Sequence, residues 1–292
     1  MERYKIRQAD GGKNGLALII NIKDFAGEPN KTRYGSEKDV ENLEGLADHL
    51  NLKVISVQNP TRVEFLKAIL DFVEQLENND ADLSLVCIMS HGGDDNKIVA
   101  ADNNYVNIEV DILDRFQNKF CKKMIGKPKV FLFQACRGGE KDAGVMVPTG
   151  SRSAVTDSSG IVTEQRNDSF EAYSTTPHHV SYRYTNGSPF ITITCQVIKE
   201  NSNKMHLQDM FLKIKSELDL EVIDIVEEED DGTKVRHKRK VLMETICRLA
   251  KHLYLRPLED MEEISRDEGI TELDAAKHRE KKKKKKSNCI LQ

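Results

Sequence analysis

Apolar and polar positions along this chain follow two alternating rhythms. Leu16-Ala17-Leu18-Ile19-Ile20 is continuously apolar, the pattern of a strand buried on both faces of a mostly parallel sheet. From Ser36, which has the chemistry of an N-cap, Val40, Leu43, Ala47 and Leu50 recur at helical spacing, and Leu52 to Val57 then reads as a second strand. After the Asn59-Pro60 turn, Thr61-Arg62-Val63-Glu64 has capping-box form and opens a helix with Phe65, Ile69, Phe72, Val73 and Leu76 along one face. A third strand, Leu83 to Met89, runs into Ser90-His91-Gly92-Gly93. A fourth, Val130 to Phe133, runs into Gln134-Ala135-Cys136-Arg137-Gly138. Strands alternating with helices predict an open α/β sheet, and such sheets bind ligands in the crevice beyond the carboxyl ends of their strands.

Residues 138 to 170 break the pattern with glycine, serine, threonine and aspartate, which predicts a long exposed loop. Regular structure is predicted again over Phe170 to Ser174, Phe190 to Lys199, Leu207 to Leu218, and in a final apolar run from Val241 to Leu255. Between the last two, Glu227 to Asp231 and Lys234 to Lys240 read as a charged loop. The remainder divides by charge: Pro257 to Asp274 holds eight acidic residues and one basic, Ala275 to Lys286 eight basic and one acidic. Such a segment buries too little apolar surface to fold and reads as a flexible tail.

At 292 residues and 38% apolar, the chain is long enough for a sizeable core. Its net charge is only -4 although 32% of residues are charged, which argues against bulk nucleic-acid binding. Six cysteines show no C-x-x-C pair in a chain too large to need stapling, so reduced thiols in a cytosolic protein are expected. Nothing calls for a metal or another cofactor. The longest apolar run is too short to span a bilayer.

Both His91 and Cys136 end predicted strands beside glycine. A cysteine protease needs a thiolate, an imidazole to hold and return a proton, and backbone donors for the tetrahedral oxyanion. Taken singly, a cysteine after a strand is ordinarily a small buried hydrophobe and a histidine an ordinary surface or core residue. Together they stand in a signature: Gln134 to Gly138 reads Gln-Ala-Cys-Arg-Gly, with His91 placed 45 residues before Cys136. On these residues the chain resembles the caspase family over roughly residues 4 to 255, a resemblance that also covers Asn14 to Phe25, Thr32 to Asp39 and Ala172-Tyr173-Ser174-Thr175.

The resemblance implies a caspase-type α/β fold, a mostly parallel sheet flanked by helices, with large and small subunits cut from one chain. It implies Cys136 as nucleophile, His91 as its acid-base partner, and the N-H groups of Gly92 and Cys136 as oxyanion donors. A backbone carbonyl near Lys31 would orient the imidazole. Arg33, Gln134 and Arg183 would hold the substrate aspartate, with Val180 and Tyr182 beside them. Two guanidinium forks and an amide suit a carboxylate, which must be well paired to lose its water. The subunit regions would be 1–157, which includes an N-terminal peptide before the first strand too short for a recruitment domain, and 158–256, followed by the tail at 257–292. Zymogen cleavage is expected after Asp157 or Asp168, and the active form as a homodimer of cleaved chains acting on protein substrates. The chain has no tryptophan and has Pro189 before Phe190, so the preference four residues upstream of the cut stays open. The competing reading is a catalytically idle scaffold or dimerisation partner.

Two further expectations concern the tail. Cys289-Ile290-Leu291-Gln292 has the form of a C-a-a-X box for a farnesyl group, and Lys281 to Lys286 would supply the second attraction to an anionic membrane surface. Asp274, followed by Ala275 at the acidic-basic junction, is a candidate cut that would release the enzyme from that anchor.

Overall fold

Gly15–Asn21 is buried along its whole length and forms β1, as its unbroken apolar run requires. The structure, a computed structural model, describes residues 2–7, 13–93, 96–137, 166–176, 184, 186–221, 223–228 and 234–258, with backbone only for 223–228 and 234–239. After β1 come a helical turn at Pro29–Lys31, α1 (Ser36–His49), β2 (Leu52–Gln58), α2 (Arg62–Asn78) and β3 (Leu83–Met89). Three short strands follow, β4 (Gly92–Gly93), β5 (Lys97–Val99) and β6 (Tyr105–Asn107), then helical turns within 108–116 and at Lys122–Met124. The chain continues through β7 (Lys129–Gln134), β8 (Ser169–Tyr173), α3 (Pro189–Asn201) and α4 (Leu207–Leu218) to β9 (Ile223–Glu228), β10 (Lys234–Arg239) and β11 (Glu244–Cys247). All these elements lie within a unit at 1–257; the second unit, 258–292, lies outside the described residues apart from Leu258.

The main sheet has the order β11-β8-β7-β3-β1-β2, parallel throughout except for β11 against β8. This is the mostly parallel, helix-flanked sheet that the alternation of elements predicts. Side chains of its strands alternate between two apolar layers. Ala17, Ile19, Leu85, Cys87, Val130 and Leu132 pack with α1, α3 and α4, through residues such as Leu43, Ile191 and Phe211. Leu18, Ile20, Val86, Ile88, Phe131 and Phe133 pack with Phe65, Ile69 and Phe72 of α2 and with Ile98 and Val106 of the small β4-β5-β6 sheet.

Thr61 caps α2 with the reciprocal Glu64 contact that the sequence predicts. Three expectations are corrected. Ser36 is the first residue of α1 rather than its cap: Gly35 takes that place with a φ of 86°, where a Cβ would be penalised, and the Ser36 hydroxyl accepts from Asn21 Nδ2 at 3.2 Å. The charged loop before β11 is an antiparallel hairpin, whose register sets Lys234 opposite Glu228 and Lys238 opposite Asp224, and opposite charges across a pair favour pairing. Regular structure within Val241 to Leu255 is confined to the four residues of β11.

Candidate active site

β3 and β7 lie side by side, parallel, in register from Ser84 opposite Lys129 to Met89 opposite Gln134. His91 follows the end of β3 by two residues and Cys136 follows the end of β7 by two, so the fold delivers both to the carboxyl end of the two central strands. The Ser90 N-H donates to the Gln134 carbonyl at 3.1 Å, which carries the pairing one residue further. Gly92 then passes directly over Cys136. A Cβ on Gly92 would lie 1.8 Å from the Cys136 carbonyl oxygen and 3.1 Å from its nitrogen, so glycine is required here by space. His91 and Cys136 are both half-buried.

The His91 Nε2 lies 2.7 Å from the Lys31 carbonyl oxygen, in the region where the resemblance implies such a carbonyl. A carbonyl only accepts, so Nε2 carries the hydrogen and Nδ1 is the acceptor of the neutral ring. Phe25, itself buried, packs on the imidazole with ring centroids 4.9 Å apart. The Lys31 carbonyl is held by a turn in which Lys31 N donates to Glu28 O at 2.9 Å and Thr32 N to Pro29 O at 3.2 Å.

Two residues on, Arg33 turns inward and is 1% exposed. Its Nη1 donates to Asn21 Oδ1 at 3.0 Å and to the Ile22 carbonyl at 2.7 Å. Asn21 follows Ala17 and Ile19 in the two-residue alternation, and Gln134 follows Val130 and Leu132. Arg33 and the buried Gln134 therefore belong to the sheet face covered by α1 and α3. Arg183, Tyr182 and Val180 lie outside the described residues, as do Asp157, Asp274 and Cys289.

Asp168 is not the accessible loop aspartate that the sequence suggests. It is 7% exposed, with its N-H donating to Arg248 O at 3.0 Å, its carbonyl accepting from Lys129 N at 2.8 Å, and its Oδ1 accepting from the Tyr4 hydroxyl at 2.6 Å. A peptidase would have to pull it out of the folded chain, which removes it as a ready cut site.

Two supports escaped the sequence reading. Arg137, beside the nucleophile, is 8% exposed; its Nε donates to Asn96 Oδ1 at 2.9 Å, its Nη1 pairs with Glu244, and its guanidinium lies 4.2 Å from the Tyr173 ring centroid. Its place inside the Gln-Ala-Cys-Arg-Gly motif was the available signal. Asp39, fully buried in α1, accepts from Ser188 N at 2.8 Å and from Ser188 Oγ at 3.0 Å, anchoring the start of α3 to α1.

Among known proteins, the family profile for the caspase domain matches residues 14–254. The chain is 34% identical to Caspase-1-A of Xenopus laevis over 226 residues, which is 73% of this chain and 58% of that protein. It is 28% identical to Caspase-3 of Bos taurus over 257 residues, 87% of each. The solved structure of Caspase-1 from Spodoptera frugiperda has the same fold, with a TM-score of 0.72 at 23% identity, covering 88% of this chain and 96% of that one. With the sheet, the juxtaposed His91-Gly92 and Cys136, and a profile match over most of its length, the chain belongs to the caspase family.

Proposed function

We propose that this protein is a cysteine endopeptidase that cuts after aspartate, with Cys136 as nucleophile and His91 as general base and acid. The observation that carries the reading is the contact of His91 Nε2 with the Lys31 carbonyl, at 2.7 Å. It leaves Nδ1 to take the Cys136 thiol proton. The thiolate adds to the substrate carbonyl, and the oxyanion is met by the N-H groups of Gly92 and Cys136. The imidazolium returns its proton to the leaving amine as the C-N bond breaks. Water, deprotonated by the same imidazole, then hydrolyses the thioester.

Arg33, Gln134 and Arg183 hold the substrate aspartate in this account, with Val180 and Tyr182 beside the chain being cut. The burial of Arg33 and Gln134 on one sheet face supports it. Activation is by a cut in the 138–165 segment, Asp157 being the favoured position, which divides the chain into regions 1–157 and 158–256. The active form is a dimer of cleaved chains acting in the cytoplasm on protein substrates.

The finer reading of the tail belongs to the same proposal and rests on sequence alone. Cys289 carries a farnesyl group that, with Lys281 to Lys286, holds the enzyme at an anionic membrane, and cleavage after Asp274 frees it. Incubating active enzyme with full-length Cys136→Ala protein tests the release: loss of residues 275–292, blocked by Asp274→Ala, is expected, and an intact tail after complete cleavage at Asp157 contradicts it. The enzymatic core is tested by hydrolysis of peptides carrying aspartate at the cut, with turnover expected in the wild type and none in Cys136→Ala.

A further inference from the structure

The buried arginine that follows Cys136 has surroundings that reach well away from the dyad. Besides Asn96 and Glu244, Arg137 meets the ring of Tyr173, its guanidinium 4.2 Å from the centroid. Tyr173 is buried and stacks on Phe133 of β7, with ring centroids 5.0 Å apart. Its hydroxyl donates to Glu171 Oε2 at 2.8 Å. Glu171 is only 1% exposed, and its other carboxylate oxygen pairs with Arg248.

Strand register sets these groups in one row. Ser169, Glu171 and Tyr173 share a face of β8 by alternation, and β11 places Ile246 opposite Glu171 and Glu244 opposite Tyr173. The pairing continues to Ser169, whose carbonyl accepts from Arg248 N at 2.8 Å, so Arg248 stands diagonally across from Glu171. From Arg248 the contacts run through Glu171 and Tyr173 to Arg137, the residue joined to Cys136 by a peptide bond. A carboxylate in an apolar layer is costly unless paired and hydrogen-bonded, and Glu171 has a guanidinium on one oxygen and a phenol on the other. Neither Glu171 nor Arg248 has a part in the proposed dyad or aspartate pocket.

Resting on the protease reading above, we propose that Glu171 is a positioning residue for the nucleophile: it fixes the Tyr173 ring through the hydroxyl, the ring seats Arg137, and Arg137 holds the backbone of Cys136. Arg248 is its counter-charge. A hydroxyl that donates to a carboxylate makes a charge-assisted bond, which restrains the ring and adds negative charge to it. The negative face of the ring is what attracts a guanidinium. Without that bond the ring and Arg137 shift together, and the Cys136 thiol and N-H shift with them. Arg33 and Gln134, on the opposite face of the sheet, stand outside this row, so substrate affinity is not drawn into it.

The test uses the full-length enzyme after activation and one aspartate peptide, with kcat and KM measured separately. Glu171→Gln keeps the shape and removes the charge; Tyr173→Phe keeps the ring and removes the hydroxyl. Each is expected to lower kcat roughly three- to tenfold and to leave KM within about twofold of wild type. The double variant is expected to be no slower than the worse single one, because both changes cut the same contact. Losses that multiply in the double variant overturn the inference. So does a lower thermal midpoint with wild-type kcat, which marks a purely structural pair, or a raised KM at unchanged kcat. If Glu171→Gln does not fold, Tyr173→Phe decides alone, and wild-type kcat in it overturns the inference. Absence of cleavage by wild type overturns the protease reading and this inference with it, whereas wild-type cleavage with unchanged kcat in the variants overturns this inference alone.

Discussion

The carbonyl that receives the His91 Nε2 hydrogen, that of Lys31, stands two residues before Arg33 in the same short segment. One stretch of backbone thus sets the tautomer of the proposed base and delivers a proposed pocket arginine. Arg33 N donates to Lys23 O at 2.8 Å, which ties the segment back to the chain leaving β1. The fold consequently couples the orientation of the imidazole to the position of the guanidinium. Nitrogen-15 spectra of the histidine side chains should show His91 as the Nε2-H tautomer in the neutral enzyme. A neutral ring protonated at Nδ1 would contradict the arrangement.

Gly92 is the tightest point of the site, because a methyl there would collide with the Cys136 carbonyl oxygen, which belongs to the backbone and cannot swing away. Gly92→Ala is expected to lower stability by about 1–3 kcal/mol, as overpacking does. Displacing the proposed oxyanion donor should also cost at least about 10²-fold in kcat. Chemical denaturation and steady-state rates check the two effects separately. Wild-type turnover in Gly92→Ala would show that the contact is dispensable.

The Tyr4 hydroxyl donates to Asp168 Oδ1 at 2.6 Å and accepts from Ala250 N at 2.9 Å, joining the start of the chain to the entry of β8 and to the segment after β11. Tyr4→Phe keeps the ring and leaves a buried carboxylate oxygen and an N-H unpaired, a loss of about 1–3 kcal/mol. Denaturant unfolding should show it as a lower midpoint with an unchanged slope. A midpoint equal to wild type would mean that the two groups find other partners.

Most of the fold is legible because the sheet is interior and parallel. Leu83–Met89 is buried throughout and is read to the residue from an apolar run interrupted only by Ser84. The β4-β5-β6 sheet is not legible: strands of two and three residues are too short to establish an alternation. The hairpin of β9 and β10 was hidden by its charge, since its pairing appears only when the two halves are laid in register. At the site, Cys136 and His91 follow from strand ends and a five-residue motif. The Lys31 carbonyl has no side-chain signature and came only through resemblance. Asp168 was misread for a related reason. Asn-Asp-Ser does mark a turn, with Asp168 at a φ of 61°, but the group that buries its side chain is Tyr4, 164 residues away.

Burial pushes the His49 imidazole below its ordinary pKa, with Arg256 and Lys199 adding to the effect, while its Nε2 lies 3.0 Å from Ser202 Oγ. The unfolded chain takes up this proton near pH 6.5, and the folded chain takes it up only at lower pH. Between those values the unfolded state binds more protons, so this contribution to stability is full above about pH 6.5 and is lost as pH falls toward the folded pKa. Thermal midpoints at pH 7.5 and 5.5 should therefore differ by less in His49→Gln than in wild type. An equal or larger drop in the variant would remove His49 from the account.

The central claim is that the site recognises and cuts after an ionised aspartate, and it is tested most directly by comparing kcat/KM for two peptides that differ only by aspartate or asparagine at the cut. Pocket guanidinium groups built for a carboxylate are left underpaired by an amide, so the account predicts a preference for aspartate on the order of 10⁴-fold. It should vanish along with activity in Cys136→Ala and collapse in Arg33→Ala. Comparable rates on the two peptides, or turnover that survives in Cys136→Ala, would contradict it.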